Sequence, residues 1–279
     1  MATVSTMARS SSSRDISFDT DFGVARIRWD GPRATLFLGD VESSAVDTSD
    51  PTYLEFEYMQ HMDAVVSSLW GPQDRFRALH VGGAACALAC AWSSSHPQSR
   101  HVAVEVDRSL AEQVREHFPI PKAPQVKIRV GDGRAVLDGT REGSFDVIVR
   151  DAFASGVTPD HLRTVECADR ARRALTASGV YLVNCAHGGP ANARQDVAAL
   201  QDVFPFVASI QDPKVGRGGR RGNVVALASA ADVVDVDQID RALRMLALPA
   251  RITRPAELTR WVAGTPTLTD AQVGYPQAD

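Results

Sequence analysis

Residues 78–107 constrain this chain most. Ala78-Leu-His-Val-Gly-Gly-Ala-Ala-Cys-Ala-Leu-Ala-Cys90 is a short apolar run that breaks at Gly82-Gly83 and continues into small residues with helical propensity. His101-Val-Ala-Val-Glu-Val-Asp107 then alternates and ends in two acids. The succession reads as strand, tight turn, helix, strand, which is one βαβ unit. Glycines at such a turn let backbone N–H groups approach a ligand at the helix N-terminus. An acid closing the second strand can accept hydrogen bonds from both hydroxyls of a ribose. Gly82, Gly83 and Glu105 are therefore candidate nucleoside-binding residues; the alternative is a plain Gly-Gly turn beside a surface carboxylate.

The rest of the chain repeats the alternation. Gln125–Val130 predicts a third strand running into Gly131-Asp132-Gly133, Phe145–Val149 a buried fourth ending at Arg150-Asp151, and Gly179–Asn184 a fifth. Helices are expected at about 109–117, 160–175 and 195–204, with 152–160 as a flexible flap. Phe206–Ile210 and Asn223–Leu227 look like a closing antiparallel pair, and Arg217-Gly-Gly-Arg220-Arg221 between them like a solvated hairpin loop. Strand–helix alternation implies a parallel sheet with helices on both faces.

Ahead of this core, Val24–Trp29 and Ala34–Leu38 alternate on either side of the turn signal Asp30-Gly31-Pro32, a small β-hairpin unit. Residues 39–52 are acidic and Ser/Thr-rich. Tyr53–Trp70 then carries Leu54, Tyr58, His61, Met62, Val65, Val66 and Leu69 at helical spacing, stopped by Gly71-Pro72. The expected divisions are a disordered, Ser-rich tail at 1–15, a hairpin domain at 16–52, a nucleoside-binding α/β domain at 53–262 and a C-terminal tail at 263–279.

Composition narrows the class. With 44% hydrophobic and 23% charged residues, the 279-residue chain can build a sizeable core, and no apolar run approaches the roughly 20 residues of a membrane span. A net charge of −4 disfavours non-specific binding of nucleic acid. The four cysteines form no CxxC pair and no Cys/His set has metal-ligand spacing, so neither a metal nor a disulfide framework is expected; Cys86 and Cys90 read as small core residues. With no secretory leader pattern, the expected compartment is the cytoplasm.

Ligands bind open parallel sheets at the carboxyl ends of strands, near the point where strand order reverses. Gly82-Gly83, Glu105, Asp132 and Asp151 all fall at such ends. Three acids in succession suit a nucleoside and a reacting group, with Glu105 on the ribose, Asp132 toward the exocyclic amine of adenine and Asp151 at the reacting end. On spacing alone, Asp132 is equally a turn residue of Gly-Asp-Gly, and Asp151 can cap the helix after the flap.

These motifs carry a resemblance. Gly82-Gly83, Val102–Asp107, Val130–Gly133, Phe145–Asp151, Ala174–Tyr181 and Glu55-Phe-Glu-Tyr58 resemble successive motifs of the spermidine synthase family, over roughly residues 20–230. The resemblance implies a Rossmann-like class I S-adenosylmethionine methyltransferase fold with a seven-stranded, mostly parallel sheet. It also implies a homodimer and an aminopropyltransferase that uses decarboxylated S-adenosylmethionine as co-substrate, with no covalently bound cofactor and a small amine as acceptor. By it, Glu105 binds ribose, Asp132 and Gly133 border the adenine, Asp151 handles the attacking amine and Tyr58 lines the amine pocket. The chain also departs from the family pattern. Gly-Gly-Gly-Asp-Gly is here Gly82-Gly-Ala-Ala-Cys86, Asp-Ser-x-Asp-Pro is Asp151-Ala-Phe-Ala-Ser155, and the His-Glu after the helix tyrosine is Met59-Gln60. The lost acids would have held ammonium groups, which leaves methyl transfer from S-adenosylmethionine and a non-catalytic, nucleoside-binding role as alternatives.

Overall fold

The computed structural model describes residues 14–154, 156–231 and 233–276. Most of the tail expected at 1–15 thus lies outside the described residues, while Arg14 and Asp15 already belong to the first strand.

The N-terminal unit is larger than one hairpin. Strands β1 (Arg14–Thr20), β2 (Gly23–Asp30), β3 (Arg33–Leu38) and β4 (Val41–Asp47) form an antiparallel meander in that order. The predicted pair is its centre, β2 and β3, with Asp30 opposite Arg33 across the Gly31-Pro32 turn. β4 falls in the acidic, Ser/Thr-rich stretch 39–52, where the sequence pattern predicted no strand. Its serines are poor strand formers, and a register shift at Leu36/Phe37 breaks the period-two pattern, so pairing with β3 rather than propensity makes it a strand. Ala25, Ile27, Ala34 and Leu36 turn one face of this sheet into the main core. Asp21, in the β1–β2 turn, accepts hydrogen bonds from Arg108 N and Ser109 Oγ, which ties the sheet to the end of the second core strand.

The helix α1 (Glu57–Leu69) leads into an eight-stranded sheet. Its parallel part is β5 (Arg77–Val81), β6 (Arg100–Glu105), β7 (Val126–Val130), β8 (Phe145–Arg150) and β9 (Leu175–His187), in spatial order β7-β6-β5-β8-β9. β10 (Phe206–Gln211) and β11 (Gly222–Ser229) are the expected antiparallel pair beside β9, and the three-residue β12 (Arg251–Thr253) adds an eighth strand at the edge where seven were expected. The order reverses between β5 and β8, so the ligand-binding crevice is expected over these two strands.

Helices α1, α2 (Ala87–Ser95), α3 (Arg108–His117) and α7 (Val236–Arg244) cover one face, joined there by the N-terminal sheet. Helices α4 (Gly133–Asp138), α5 (Val165–Ala174), α6 (Ala193–Gln201) and α8 (Pro255–Val262) cover the other. Among the described residues, no helix is long and apolar enough to cross a membrane.

The segment after residue 262 is not a loose tail in its described part. It ends in α9 (Asp270–Val273), where Asp270 makes a two-pronged ion pair with Arg134 at 2.6 and 2.8 Å; both residues are almost fully buried. A buried guanidinium demands a carboxylate, and here the partner comes from 136 residues away in sequence, a separation no local pattern reveals.

Candidate active site

A cavity of about 550 Å³ opens over the reversal point and takes in all seven residues singled out from the sequence: Tyr58, Gly82, Gly83, Glu105, Asp132, Gly133 and Asp151. Its floor is the carboxyl edge of the sheet, and β4 forms part of the opposite wall through Val41 and Glu42.

Gly82 sets the close approach of β5 to β8. Asp151 N donates to Val81 O at 2.8 Å, and a Cβ on Gly82 would sit 2.1 Å from the Asp151 carbonyl oxygen, at a backbone φ of +96° that side chains avoid. The turn continues in the left-handed region at Ala84 (φ 38°) and Cys86 (φ 57°) without glycine there. Glu105 holds it in place. Its Oε2 accepts from Gly83 N at 3.3 Å and Ala84 N at 3.0 Å, and its Oε1 from Asp107 N at 3.1 Å. Three of the roughly four lone-pair positions of that carboxylate are thereby taken, leaving one on Oε1, and Glu105 lines the cavity.

Asp132 has a local structural role and also a place in the cavity lining. It caps α4, accepting from Ala135 N at 2.9 Å, while Oδ2 lies 3.0 Å from His161 Nε2, and residue and partner both line the cavity. His161 in turn stacks on Tyr275 from the C-terminal segment.

Asp151 caps nothing. Thr164 is the cap of the helix after the flap, accepting from Cys167 N. The Asp151 carboxyl instead accepts from Tyr58 OH at 2.8 Å on one oxygen and from Asn184 Nδ2 at 2.8 Å on the other, and Asn184 Oδ1 accepts from Asn223 Nδ2 at 2.8 Å. Burial pushes this carboxyl above the ordinary aspartate range, while the Asn184 and Tyr58 hydrogen bonds and the Arg150 charge pull the other way. Burial, then the Asp151 charge, raises the Tyr58 phenol well above its usual value, so it stays a donor. The group at the centre of the site is thus an oriented carboxylate with a raised proton affinity.

Three lining residues escaped the sequence reading. Asn184 closes the apolar run Gly179–Asn184 and lies inside β9, and a polar residue closing such a run was the available signal. His161 had none. Arg221 belongs to the loop read as solvated; that loop does join β10 to β11, but Arg221 also reaches the cavity rim. In the flap, Ala154 and Val157 exchange backbone hydrogen bonds at 2.8 and 3.1 Å, and Phe153 and Ala154 present apolar groups beside Asp151. Cys86 and Cys90 are buried, as are Cys167 and Cys185, and all four are free thiols.

No protein-family model matches the chain. Two curated relatives, the polyamine aminopropyltransferases of Vibrio vulnificus and Korarchaeum cryptofilum, are each 26% identical over 110 and 133 residues. Those matches span 39% and 46% of this chain and only 37% and 41% of the relatives' own lengths. Among solved structures, spermidine synthase from Thermotoga maritima (TM-score 0.58) and human methyltransferase-like protein 13 in complex with SAH (TM-score 0.55) share the fold at 17% identity. The structure described as a probable spermidine synthase from Corynebacterium glutamicum superposes with a TM-score of 0.84 at 32% identity, covering 91% of this chain and 95% of its own. Identity at that level, sustained over nearly the whole of both chains on one fold, is a family relationship, and this protein belongs to the spermidine synthase family.

Proposed function

We propose that the protein transfers an aminopropyl group from a decarboxylated S-adenosylmethionine-type sulfonium nucleoside to a small amine. The observation that carries this reading is Asp151, a carboxylate enclosed at the reversal point, oriented by Tyr58 and Asn184 and facing the same cavity as Glu105. In this reading Glu105 takes a ribose hydroxyl on its open lone pair, and Asp132 and Gly133 border the adenine. The incoming ammonium gives a proton to Asp151. The freed nitrogen lone pair attacks the carbon next to sulfur, the carbon–sulfur bond breaks, and its electrons return to sulfur as a neutral thioether. Raised proton affinity at Asp151 suits the first step, and fixed geometry the second. A spermidine synthase of the same fold, solved in complex with the transition-state analogue AdoDATO, lends the donor class support.

Methyl transfer is the second reading. Phe153, Ala154 and Met59 line the cavity near Asp151 without adding a carboxylate to hold the ammonium of an aminopropyl donor. The remaining lining carboxylate, Glu42, belongs to the N-terminal sheet. A homodimer is part of the proposal, supported by the exposed Phe22, Val24 and Val41 of that sheet.

Calorimetry with methylthioadenosine, decarboxylated S-adenosylmethionine and S-adenosylmethionine, followed by mass spectrometry of products from an amine panel, tests the proposal. Binding should weaken at least tenfold in Glu105→Ala, the loss of one charge-assisted hydrogen bond of about 1.5–3 kcal/mol. Methylated products with no aminopropylated ones decide for the second reading. Failure of all three nucleosides to bind leaves a non-catalytic role.

A further inference from the structure

The cavity floor holds a buried polar group that the reaction outlined above does not use. His80 is 4% exposed, lines the cavity and lies beside Val149 in the parallel pairing of β5 with β8. Residues paired laterally in a sheet share a face, as do residues two apart along a strand. His80 therefore shares a face with Asp151, one pleat repeat, about 7 Å, deeper in the site.

A hydrogen-bonded chain fixes where its protons are. His80 Nε2 lies 3.1 Å from His101 Nδ1, and His101 Nε2 lies 2.7 Å from Ser99 Oγ. Ser99 Oγ also lies 2.7 Å from the carbonyl oxygen of His96, a separation at which a proton must stand between the two oxygens. The hydroxyl therefore donates to that carbonyl and accepts from His101 Nε2–H. His101 Nδ1 is left bare and accepts from His80 Nε2–H, so His80 Nδ1 carries a lone pair and no proton. Burial keeps both rings neutral, taking His80 down to about 3 and His101 well below its usual value. No described protein group hydrogen-bonds to His80 Nδ1. It is also absent from the fully buried orphan atoms, which among the described residues are His61 Nδ1 and Arg150 Nε. Its lone pair opens on the cavity.

We propose that His80 Nδ1 is a subsite for the acceptor substrate, taking the O–H or uncharged N–H at the far end of the molecule whose reacting amine meets Asp151. A neutral nitrogen offers a full ammonium no compensating charge, so the chemical class it selects is an amino alcohol ahead of a diamine bearing two ammonium groups. The assignment of the far end rests on the transferase reading; the proton positions do not.

Two measurements test it. Wild-type protein saturated with methylthioadenosine is titrated with 4-aminobutan-1-ol and with butylamine, which differ by the terminal hydroxyl. The amino alcohol should bind three- to tenfold tighter, the value of one net hydrogen bond, and His80→Leu should abolish the preference. Equal binding by wild type, no binding of the amino alcohol, or a preference that survives in His80→Leu overturns the subsite. Long-range ¹⁵N–¹H spectra of histidine-labelled wild type, independent of any variant's folding, should show His80 protonated on Nε2 and bare on Nδ1. A protonated Nδ1 also overturns it. If methylthioadenosine itself does not bind, the transferase reading fails, and the tautomer still decides whether an acceptor nitrogen faces the cavity.

Discussion

Replacing Gly82 with alanine separates two costs that a glycine can hide. At Gly31, in the β2–β3 turn, φ is +59° and an added Cβ would meet nothing within 4 Å. Gly31→Ala should therefore cost only the left-handed backbone penalty, about 1–2 kcal/mol. At Gly82 the φ is +96° and the added Cβ would stand 2.1 Å from the carbonyl oxygen of Asp151, 2.6 Å from its carbon and 2.9 Å from Ala152 Cα. All three atoms are backbone, so relief requires β5 and the end of β8 to part, at the expense of the hydrogen bond from Asp151 N to Val81 O. Beyond the backbone penalty, that adds roughly 1–3 kcal/mol for packing strain and about 1 kcal/mol for the bond, for a total of roughly 3–6 kcal/mol. Urea unfolding monitored by circular dichroism reads the difference as a fall in midpoint at unchanged slope. On heating, Gly82→Ala should melt roughly 6–24 °C below wild type, at about 2–4 °C per kcal/mol for a chain of this size class. Because the displaced atoms carry Asp151, any folded fraction should also lose activity. Equal losses for Gly31→Ala and Gly82→Ala would refute the close approach as the reason for glycine at 82.

Ala84→Gly should leave stability unchanged or raise it by up to about 1 kcal/mol, against the usual loss for that exchange, because Ala84 sits at φ 38°; the same urea titration reads the sign. Asp270→Ala should cost about 3 kcal/mol in thermal unfolding, since it strands the buried Arg134 guanidinium with Asp138 as its remaining carboxylate. Asp151 binds its proton more tightly in the folded chain than at the ordinary value of 3.8, so its contribution to stability falls as pH rises through the raised value. Asp151→Asn should accordingly gain on wild type in denaturant midpoint from pH 4 to pH 7. The wild-type rate should rise with pH through a pKa above 3.8 and the variant should not turn over. Sedimentation of the intact protein should show a dimer, and a monomer would remove the N-terminal sheet as an assembly surface.

The parallel core and the strand-end acids were legible in the amino-acid sequence, because both are written in short-range patterns. A Gly-Gly break between an apolar run and a small-residue helix, and alternation ending in Glu105 or Asp151, follow from how neighbouring side chains alternate in a strand and from which residues tolerate a tight turn. What depended on partners far along the chain was not legible. β4 is a strand because β3 offers it a ladder, although Ser43 and Ser44 argue against one locally. The last described residues are docked because Arg134 needs Asp270. Asp151 was readable as an acid at a strand end, but Tyr58 and Asn184, 93 and 33 residues away, decide that it is an oriented carboxylate and not a helix cap. His80 reads from sequence as one more position in an apolar strand. Only its packing against His101, with Ser99 and the His96 carbonyl behind it, orders the protons and turns a bare nitrogen toward the cavity, because hydrogen-bond direction is a property of the whole chain of partners and not of any one residue.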